Sequence, residues 1–284
     1  LYNAPAMAAD CVEGGTSGSP TLLCTATDSN NIDDDRDNLS VTVKNGSELH
    51  YANERPVQLE SANQSIVNDR LIESGDDDSI RGIDTKHTSD NSRTFIGGDR
   101  GIRLQDDADN FTLINRETGI ISAEKQAVRL DNDAELENAS ITNYGLIESE
   151  KGRAIQSRGP GTTVVNYGTL RGDEEVIEAR EDFTLENHGT IALNGLSWDA
   201  GTQTWTNAGA TDDEDGVQFA GGTANNYGVI LGTDDGIEID EGKVHNHATG
   251  AIVSHRNADG STHRGEGKAN DQLFDPHNTT QPAA

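Results

Sequence analysis

Ile141-Thr-Asn-Tyr-Gly-Leu-Ile147 and Val164-Val-Asn-Tyr-Gly-Thr-Leu170 decide the fold, because the same phrase keeps returning. It recurs as Leu185-Glu-Asn-His-Gly-Thr-Ile191, as Ala224-Asn-Asn-Tyr-Gly-Val-Ile230 and, loosened, as Val244-His-Asn-His-Ala-Thr-Gly-Ala-Ile252. The repeated asparagines are Asn143, Asn166, Asn187, Asn226 and Asn246, with gaps of 23, 21, 39 and 20 residues. The gap of 39 is one period plus an insertion. A period of 20 to 23 residues with no room for a helix predicts a stacked array.

A second ladder keeps step with the first. Ser79-Ile-Arg-Gly82, Gly101-Ile-Arg-Leu104, Ala127-Val-Arg-Leu130 and Ala154-Ile-Gln-Ser157 lead to Val176-Ile-Glu-Ala179, Gly216-Val-Gln-Phe219 and Gly236-Ile-Glu-Ile239. Its late intervals of 22, 40 and 20 track the Asn ladder, long step included. Two motifs that share one insertion define a real repeat. Degenerate copies, Ile66-Val-Asn68 and Leu113-Ile-Asn115, carry it upstream.

Each period holds about three short runs of alternating apolar and polar residues, the pattern of strands buried on one face. Val164-Val165, Leu170 and Ile177 are expected to point inward in one coil, and Leu185, Ile191 and Val217 in another. Gly, Asn and Asp clusters between the runs suit tight, left-handed corners. The expected fold is therefore all-β: a parallel β-helix of about nine coils, its rungs about 4.8 Å apart. Equivalent side chains then superpose. Asn143, Asn166, Asn187, Asn226 and Asn246 should form an amide ladder. Tyr144, Tyr167, His188, Tyr227 and His247, in the next slot, should form an outward stack.

The 284 residues are 32% hydrophobic and 4% aromatic, with a net charge of −29. A compact globule of this length needs more apolar mass, whereas a narrow solenoid needs only thin aliphatic files. The acidity argues against nucleic acid and against anionic membranes as partners. No run of 18 apolar residues is present, so nothing is expected to insert in a bilayer. Ala6-Met-Ala8 before Ala9-Asp10 has the small-x-small form of a signal-peptidase site, without the upstream apolar region. Cys11 and Cys24 are the only cysteines. Their even count and the short loop between them favour a disulfide and an oxidising compartment; two unpaired thiols are the alternative.

Residues 1–38 read as a polar N-terminal leader or cap, 39–254 as the helix, and 255–284 as a polar tail in which Leu273-Phe274 is the only apolar pair. The insertion, residues 194–211, holds Trp198 and Trp205 and reads as a small hairpin on the outside.

Acidic corners are the first candidate sites: Asp76, Asp77, Asp78, Asp212, Asp213, Asp215, Asp234 and Asp235, with Asp106-Asp107 and Asp131-Asn-Asp133. Stacked carboxylates repel unless cations, water or basic groups screen them, and hard oxygen clusters suit Ca²⁺; a solvated acidic face is the alternative. The Gly-Gly-x-Gly-x-Asp repeat of calcium-binding β-rolls is absent, so no coordination geometry is implied. His245 and His247 form an i, i+2 pair that zinc could use, but His247 also fills the aromatic slot. Arg171-Gly172-Asp173 at a corner is expected by chance in a Gly- and Asp-rich chain. Sequons at Asn38, Asn45, Asn63, Asn110, Asn138 and Asn278 matter only in a eukaryotic secretory pathway.

Asn-Tyr-Gly-Thr-Leu and Asn-His-Gly-Thr-Ile, alternating with Asp-Gly-Ile-Glu-Ile, resemble repeats in the passenger regions of bacterial autotransporters and related surface β-helices. The resemblance covers about residues 10–254 and includes the Cys11…Cys24 start. It implies a right-handed helix, export to the bacterial surface or medium, and a passenger fragment, cleaved product or free relative without the membrane barrel. The expected function is a non-enzymatic, adhesin-like or matrix-forming building block that self-associates end to end or laterally, or binds a host or glycan surface, with calcium as a candidate support. The runner-up is a polysaccharide lyase or glycosidase, which needs carboxylates converging in a groove. Function of this kind is decided by the site and not by the fold.

Overall fold

The computed structural model describes residues 11–254 apart from 26, 29–30, 45, 84–85, 106–108, 132–136, 200, 203 and 210–213, and gives only the backbone of Thr27, Asp28 and Trp205. The described chain is all-β, a parallel β-solenoid of about nine turns. No helix in it is long and apolar enough to cross a membrane.

Each turn has three faces. One turn runs through Ile155–Ser157 on the first face, Thr163–Asn166 on the second and Thr169–Gly172 on the third. The next turn repeats them as Ile177–Ala179, Phe183–Asn187 and Thr190–Leu193, each strand lying parallel to its predecessor. The registers superpose the motifs: Asn143 on Asn166 on Asn187, and Ile155 on Ile177 on Val217. In the last two turns, first and second faces merge into the long strands Val217–Asn226 and Ile237–Asn246. The third face is an unbroken sheet of ten strands.

The core is three aliphatic files, one per face. Ile102, Val128, Ile155, Ile177 and Val217 on the first face are fully buried, as are Ile141, Val164 and Leu185 on the second and Ile147, Leu170 and Ile191 on the third. Alternation along the strand sends the intervening residues outward. Val165 is one of these. It is half-exposed, not inward with Val164, because neighbours on a strand must face opposite ways. File members also compensate for one another in volume. Ser89 takes the slot between Ile66 and Leu113, and the same coil places Phe95 between Ile72 and Ile121.

The two kinds of corner differ in physical origin. Between the first and second faces a single residue is left-handed in several turns: Asn38 at φ 60°, Asn63 at 58°, Asn110 at 58°, Asn138 at 58° and Asp182 at 56°. Asn and Asp tolerate this conformation best among residues with a side chain. An inward residue follows, and then an outward Ser or Thr that starts the strand. Four of the sequons, at Asn38, Asn63, Asn110 and Asn138, are thus this corner read as a motif.

At the Asn-x-Gly corner, between second and third faces, no left-handed φ is involved. A Cβ on Gly145 would lie 2.2 Å from the Gly119 carbonyl oxygen, on Gly168 2.1 Å from that of Gly145, and on Gly189 2.0 Å from that of Gly168. Glycine is required there because successive backbones touch.

The N-terminal end is closed by a hairpin. Cys11–Thr16 pairs antiparallel with Ser19–Cys24, and the latter stacks parallel on Ser40–Val43. Cys11 and Cys24 are direct cross-strand partners and are disulfide-bonded, with Cα atoms 4.0 Å apart. Ile32–Asp34 pairs with Val57–Leu59, so the stack already includes strands of residues 19–34, ahead of the expected start at residue 39. The expected tail, 255–284, and residues 1–10 lie outside the described residues, as do Asn45 and Asn278. Within the insertion, Leu196–Asp199 and Thr204–Asn207 form an antiparallel hairpin with Trp198 opposite Trp205. Leu196 is buried and Trp198 packs partly against the core.

Candidate functional site

Three columns of side chains run along the axis, and each offers different chemistry. The first is the amide ladder. Each Asn Nδ2 donates to the Oδ1 of the next: Asn68 to Asn91 at 2.9 Å, Asn91 to Asn115 at 2.8 Å, Asn115 to Asn143 at 2.8 Å and Asn143 to Asn166 at 2.9 Å. It continues from Asn166 to Asn187 at 2.8 Å, Asn187 to Asn226 at 2.8 Å and Asn226 to Asn246 at 2.9 Å. All but Asn246 are fully buried. Asn91 carries no Asn-x-Gly phrase in sequence, since Ser92-Arg93 follows it; only its spacing marks it. Upstream, Val43 and Cys24 fill the same slot, so the ladder stops where the cap begins.

The second column is the aromatic stack. Ring centroids are 5.0 Å apart for Tyr144 and Tyr167, 4.8 Å for Tyr167 and His188, 4.7 Å for His188 and Tyr227, and 3.8 Å for Tyr227 and His247. The planes lie within 9° of parallel. Each interior ring therefore has both faces against a neighbour and shows only its edge to solvent. A sugar stacks on a free ring face, and Tyr167, His188 and Tyr227 have none to offer. His188 Nε2 lies 2.6 Å from Glu186 Oε1, and His247, stacked on Tyr227, is drawn into this column beside exposed His245.

The third column is charged and lies on the outside of the first face. The residue after each ladder aliphatic reads Arg81, Arg103, Arg129, Gln156, Glu178, Gln218 and Glu238, aligned pair by pair in register. The motifs Ile-Arg, Val-Arg, Ile-Gln and Ile-Glu spell this out in sequence, but its meaning depends on the register.

Arginines dominate the N-terminal half of this face. Asp78, wholly buried, has Arg100 at 3.4 Å, Arg55 at 3.8 Å and Arg103 at 4.0 Å. Burial still raises its pKa, against the pull of Arg100 and Arg103. At Asp131 burial also opposes ionisation, but hydrogen bonds from Arg129 and from Arg103 (2.8 Å) win and hold its carboxyl below the usual range.

Carboxylates crowd the C-terminal half. Arg153 fans out to Glu174, to Glu175 at 2.5 Å and to Glu178 at 2.9 Å. Beyond it lie Glu214, Asp215, Asp235 and Glu238. Burial, together with the charge and hydrogen bond of Glu175, pushes Glu214 up to about 7. Asp215 is pushed up to about 9 by burial, by a hydrogen bond and charge from Glu238 and by the charge of Asp235, although it accepts the Asp235 N–H at 2.9 Å. Asp215 therefore holds its proton at neutral pH, and Glu214 is partly protonated there. Beside them is a shallow groove of about 190 Å³ between Glu178, Arg180, Phe219, Glu238 and Asp240.

Among the residues expected to hold calcium, Asp77 and Asp78 face arginines, with Asp77 3.1 Å from Arg55, while Asp76 stays exposed at its turn. Asp215 and Asp235 come together, Asp234 sits at the turn before them, and Asp212 and Asp213 lie outside the described residues, as do Asp106, Asp107 and Asp133. Among the described residues no three His, Cys, Asp or Glu side chains are grouped as metal ligands. No protein-family model, curated protein or solved structure matches the chain.

Proposed function

We propose that the protein is a non-enzymatic extracellular structural protein: a rigid β-solenoid rod that works by contact of its flat faces, chiefly with copies of itself. The observation that carries this reading is the unbroken amide ladder from Asn68 to Asn246. It ties successive turns into one stiff body about 34 Å long at the strand spacing of a sheet. Side chains that in a binding cleft would face a ligand are here spent on their own equivalents one turn away. The Cys11–Cys24 disulfide at the cap suits an oxidising compartment. An adhesin role toward a host or glycan surface belongs to the same reading, with the charged first face as contact and the aromatic stack as support. Calcium enters as a screening cation at the acidic corners.

The test is particle size by light scattering and electron microscopy, with and without a chelator. Concentration-dependent growth is expected. Monodisperse monomers at high concentration, with and without calcium, would sink the reading.

One observation favours a second reading, a polysaccharide-acting enzyme. Asp215, its pKa raised beside Glu238, lies next to the groove at Phe219, and raised carboxyl pKa values are common in glycoside cleavage. Against it, glycosidase carboxyls stand about 5 Å or more apart with the sugar between them, whereas these bond to each other. Release of new reducing ends or unsaturated products from a glycan panel, lost in Asp215→Asn, would establish it.

A further inference from the structure

The charged column on the first face reverses sign about its middle. Gln156, buried beneath its neighbours, is the centre of the seven turns from Arg81 to Glu238, and Gln58 and Asp33 continue the column upstream. One turn before it stands Arg129 and one turn after it Glu178; three turns before it stands Arg81 and three after it Glu238. Two turns out, Arg103 is matched by neutral Gln218. The flanking columns follow this pattern in part: they add two complementary pairs, while Arg153 and Arg158, level with Gln156, meet their own copies and Asp78 meets Asp235. Arg100, two places before Ile102, has as its counterpart Asp215, two places before Val217. Asp131, three places after Val128, has Arg180, three places after Ile177. A column of this kind is its own complement when reversed end for end.

We propose that the first face is a two-fold, antiparallel interface between two copies of this chain, laying the arginine half of each copy on the acidic half of the other. This rests on the self-assembly reading above and names the surface and partner for it. A two-fold axis lying in the interface and crossing the rod at Gln156 reverses the order of turns while keeping each column opposite itself. It therefore sets Arg129 against Glu178, Arg81 against Glu238, and Arg100 against Asp215. In an isologous contact each such pair is made twice.

The acidic half holds more carboxyls than its own cations can balance. Arg153 is shared among Glu174, Glu175 and Glu178, and Glu214, Asp215, Asp235 and Glu238 crowd the turns beyond it. Protons retained on Asp215 and Glu214 lower the charge of this crowded half. Guanidinium groups from a second copy would displace those protons. The seven aligned turns, about 30 Å long and under 20 Å wide, give roughly 500–600 Å² per copy. That lies at the small end of specific interfaces, so a micromolar and reversible dimer is expected.

Reversing charges tests it. Arg81→Glu and Glu238→Arg each alter an outward side chain, so circular dichroism should match the wild type. By sedimentation, the wild type should move from the monomer mass of 30.3 kDa toward twice that value with concentration. Each variant alone should lose at least about tenfold in affinity, because it sets like charges face to face twice. An equimolar mixture should restore dimerisation, since both contacts in the mixed pair then join opposite charges. The milder Arg81→Ala and Glu238→Ala should each weaken the dimer, and their equimolar mixture should recover part of the loss because the mixed pair regains one Arg81–Glu238 contact, which keeps the test open if a reversal disturbs folding. Dimers unaffected by either reversal, or weakened variants that fail to rescue one another, overturn this interface and leave self-assembly by another surface. Dissociation by a chelator in place of charge reversal assigns the acidic half to a divalent cation and also overturns it. A wild type that stays monomeric removes both the interface and the reading beneath it.

Discussion

Replacing Asn166 by alanine tests the ladder where it is deepest. The Asn166 amide donates to Asn187 Oδ1 at 2.8 Å and to the carbonyls of Thr190 and Gly168, both at 3.3 Å. Its Oδ1 accepts from Asn143 at 2.9 Å. After truncation, Asn143 Nδ2 keeps the carbonyls of Thr169 at 3.1 Å and Gly145 at 3.2 Å. Asn187 Oδ1 and the Thr190 carbonyl lose this donor in a place water does not reach. Each buried polar group left unmet costs about 1–3 kcal/mol, so Asn166→Ala should destabilise by about 3–5 kcal/mol. At the open end the same change should cost far less. Asn246 is exposed, and water can replace its bond to Asn226, so Asn246→Ala should cost about 1 kcal/mol or less. Asn166→Asp adds a signed check. It turns a carboxylate oxygen toward Asn187 Oδ1, and burial raises that carboxyl's folded pKa. Its penalty should be small below the unfolded carboxyl value of about 4 and should grow as pH rises through the folded pKa. Urea denaturation followed by circular dichroism reads all three. The reasoning fails if Asn166→Ala stays within about 0.5 kcal/mol of the wild type, or if Asn246→Ala costs as much.

Other outcomes follow from the same structure. Asp215, facing Glu238 and Asp235, and Glu214, facing Glu175, Glu174 and Arg153, have raised folded pKa values. Their contribution to stability is complete below about pH 4 and is lost as pH rises through about 7 for Glu214 and about 9 for Asp215. Asp215→Asn, which can still accept the Asp235 N–H, should flatten that decline and exceed the wild type by at least about 1 kcal/mol at pH 9, measured as melting temperature against pH. Gly168→Ala should cost about 3 kcal/mol or more, since its Cβ meets the Gly145 carbonyl oxygen at 2.1 Å and both are backbone; an unchanged urea midpoint would contradict the contact. Reduction of Cys11–Cys24, which closes a loop of sequence separation 13, should remove about 3 kcal/mol and expose the 11–24 hairpin to protease before any later turn is cut.

The architecture was legible because a solenoid writes each contact as a period. Asn143, Asn166 and Asn187 lie 23 and 21 residues apart, and that spacing alone put their amides in contact. Three things resisted reading. Val164-Val165 shows two adjacent apolar residues, and composition cannot say which faces inward; strand alternation, fixed by the pairing with Leu185 and Glu186, decides it. The asparagine corners were ambiguous for the opposite reason. Asn38, Asn63, Asn110 and Asn138 match a modification motif as well as a left-handed turn, and only their φ values show that all four do one structural job. The aromatic stack was legible as a column, but its edge-on presentation was not. The 23- and 21-residue spacing of Tyr144, Tyr167 and His188 does not tell whether the rings lie flat on one another or side by side.

Charge makes the sharper contrast. A net charge of −29 describes a chain that should repel its own copies. Repulsion between exposed charges fades beyond about 8–10 Å at ordinary ionic strength, so the total says little about two faces in contact. What matters at contact is the order of charges along one column, and that order exists only once the register is known. Arg81, Arg103 and Arg129 are spread over 49 positions of sequence from 81 to 129, among many acids, and no local window shows a basic patch. Folding collapses them onto three adjacent strands of one face. The same collapse gathers Glu178, Glu238 and Asp215 at the other end. In a solenoid, a long-range alternation of sign in sequence becomes a short-range pattern on a surface. An acidic chain can therefore carry an arginine-rich stretch on one face, and the proposed self-recognition is compatible with a high net charge.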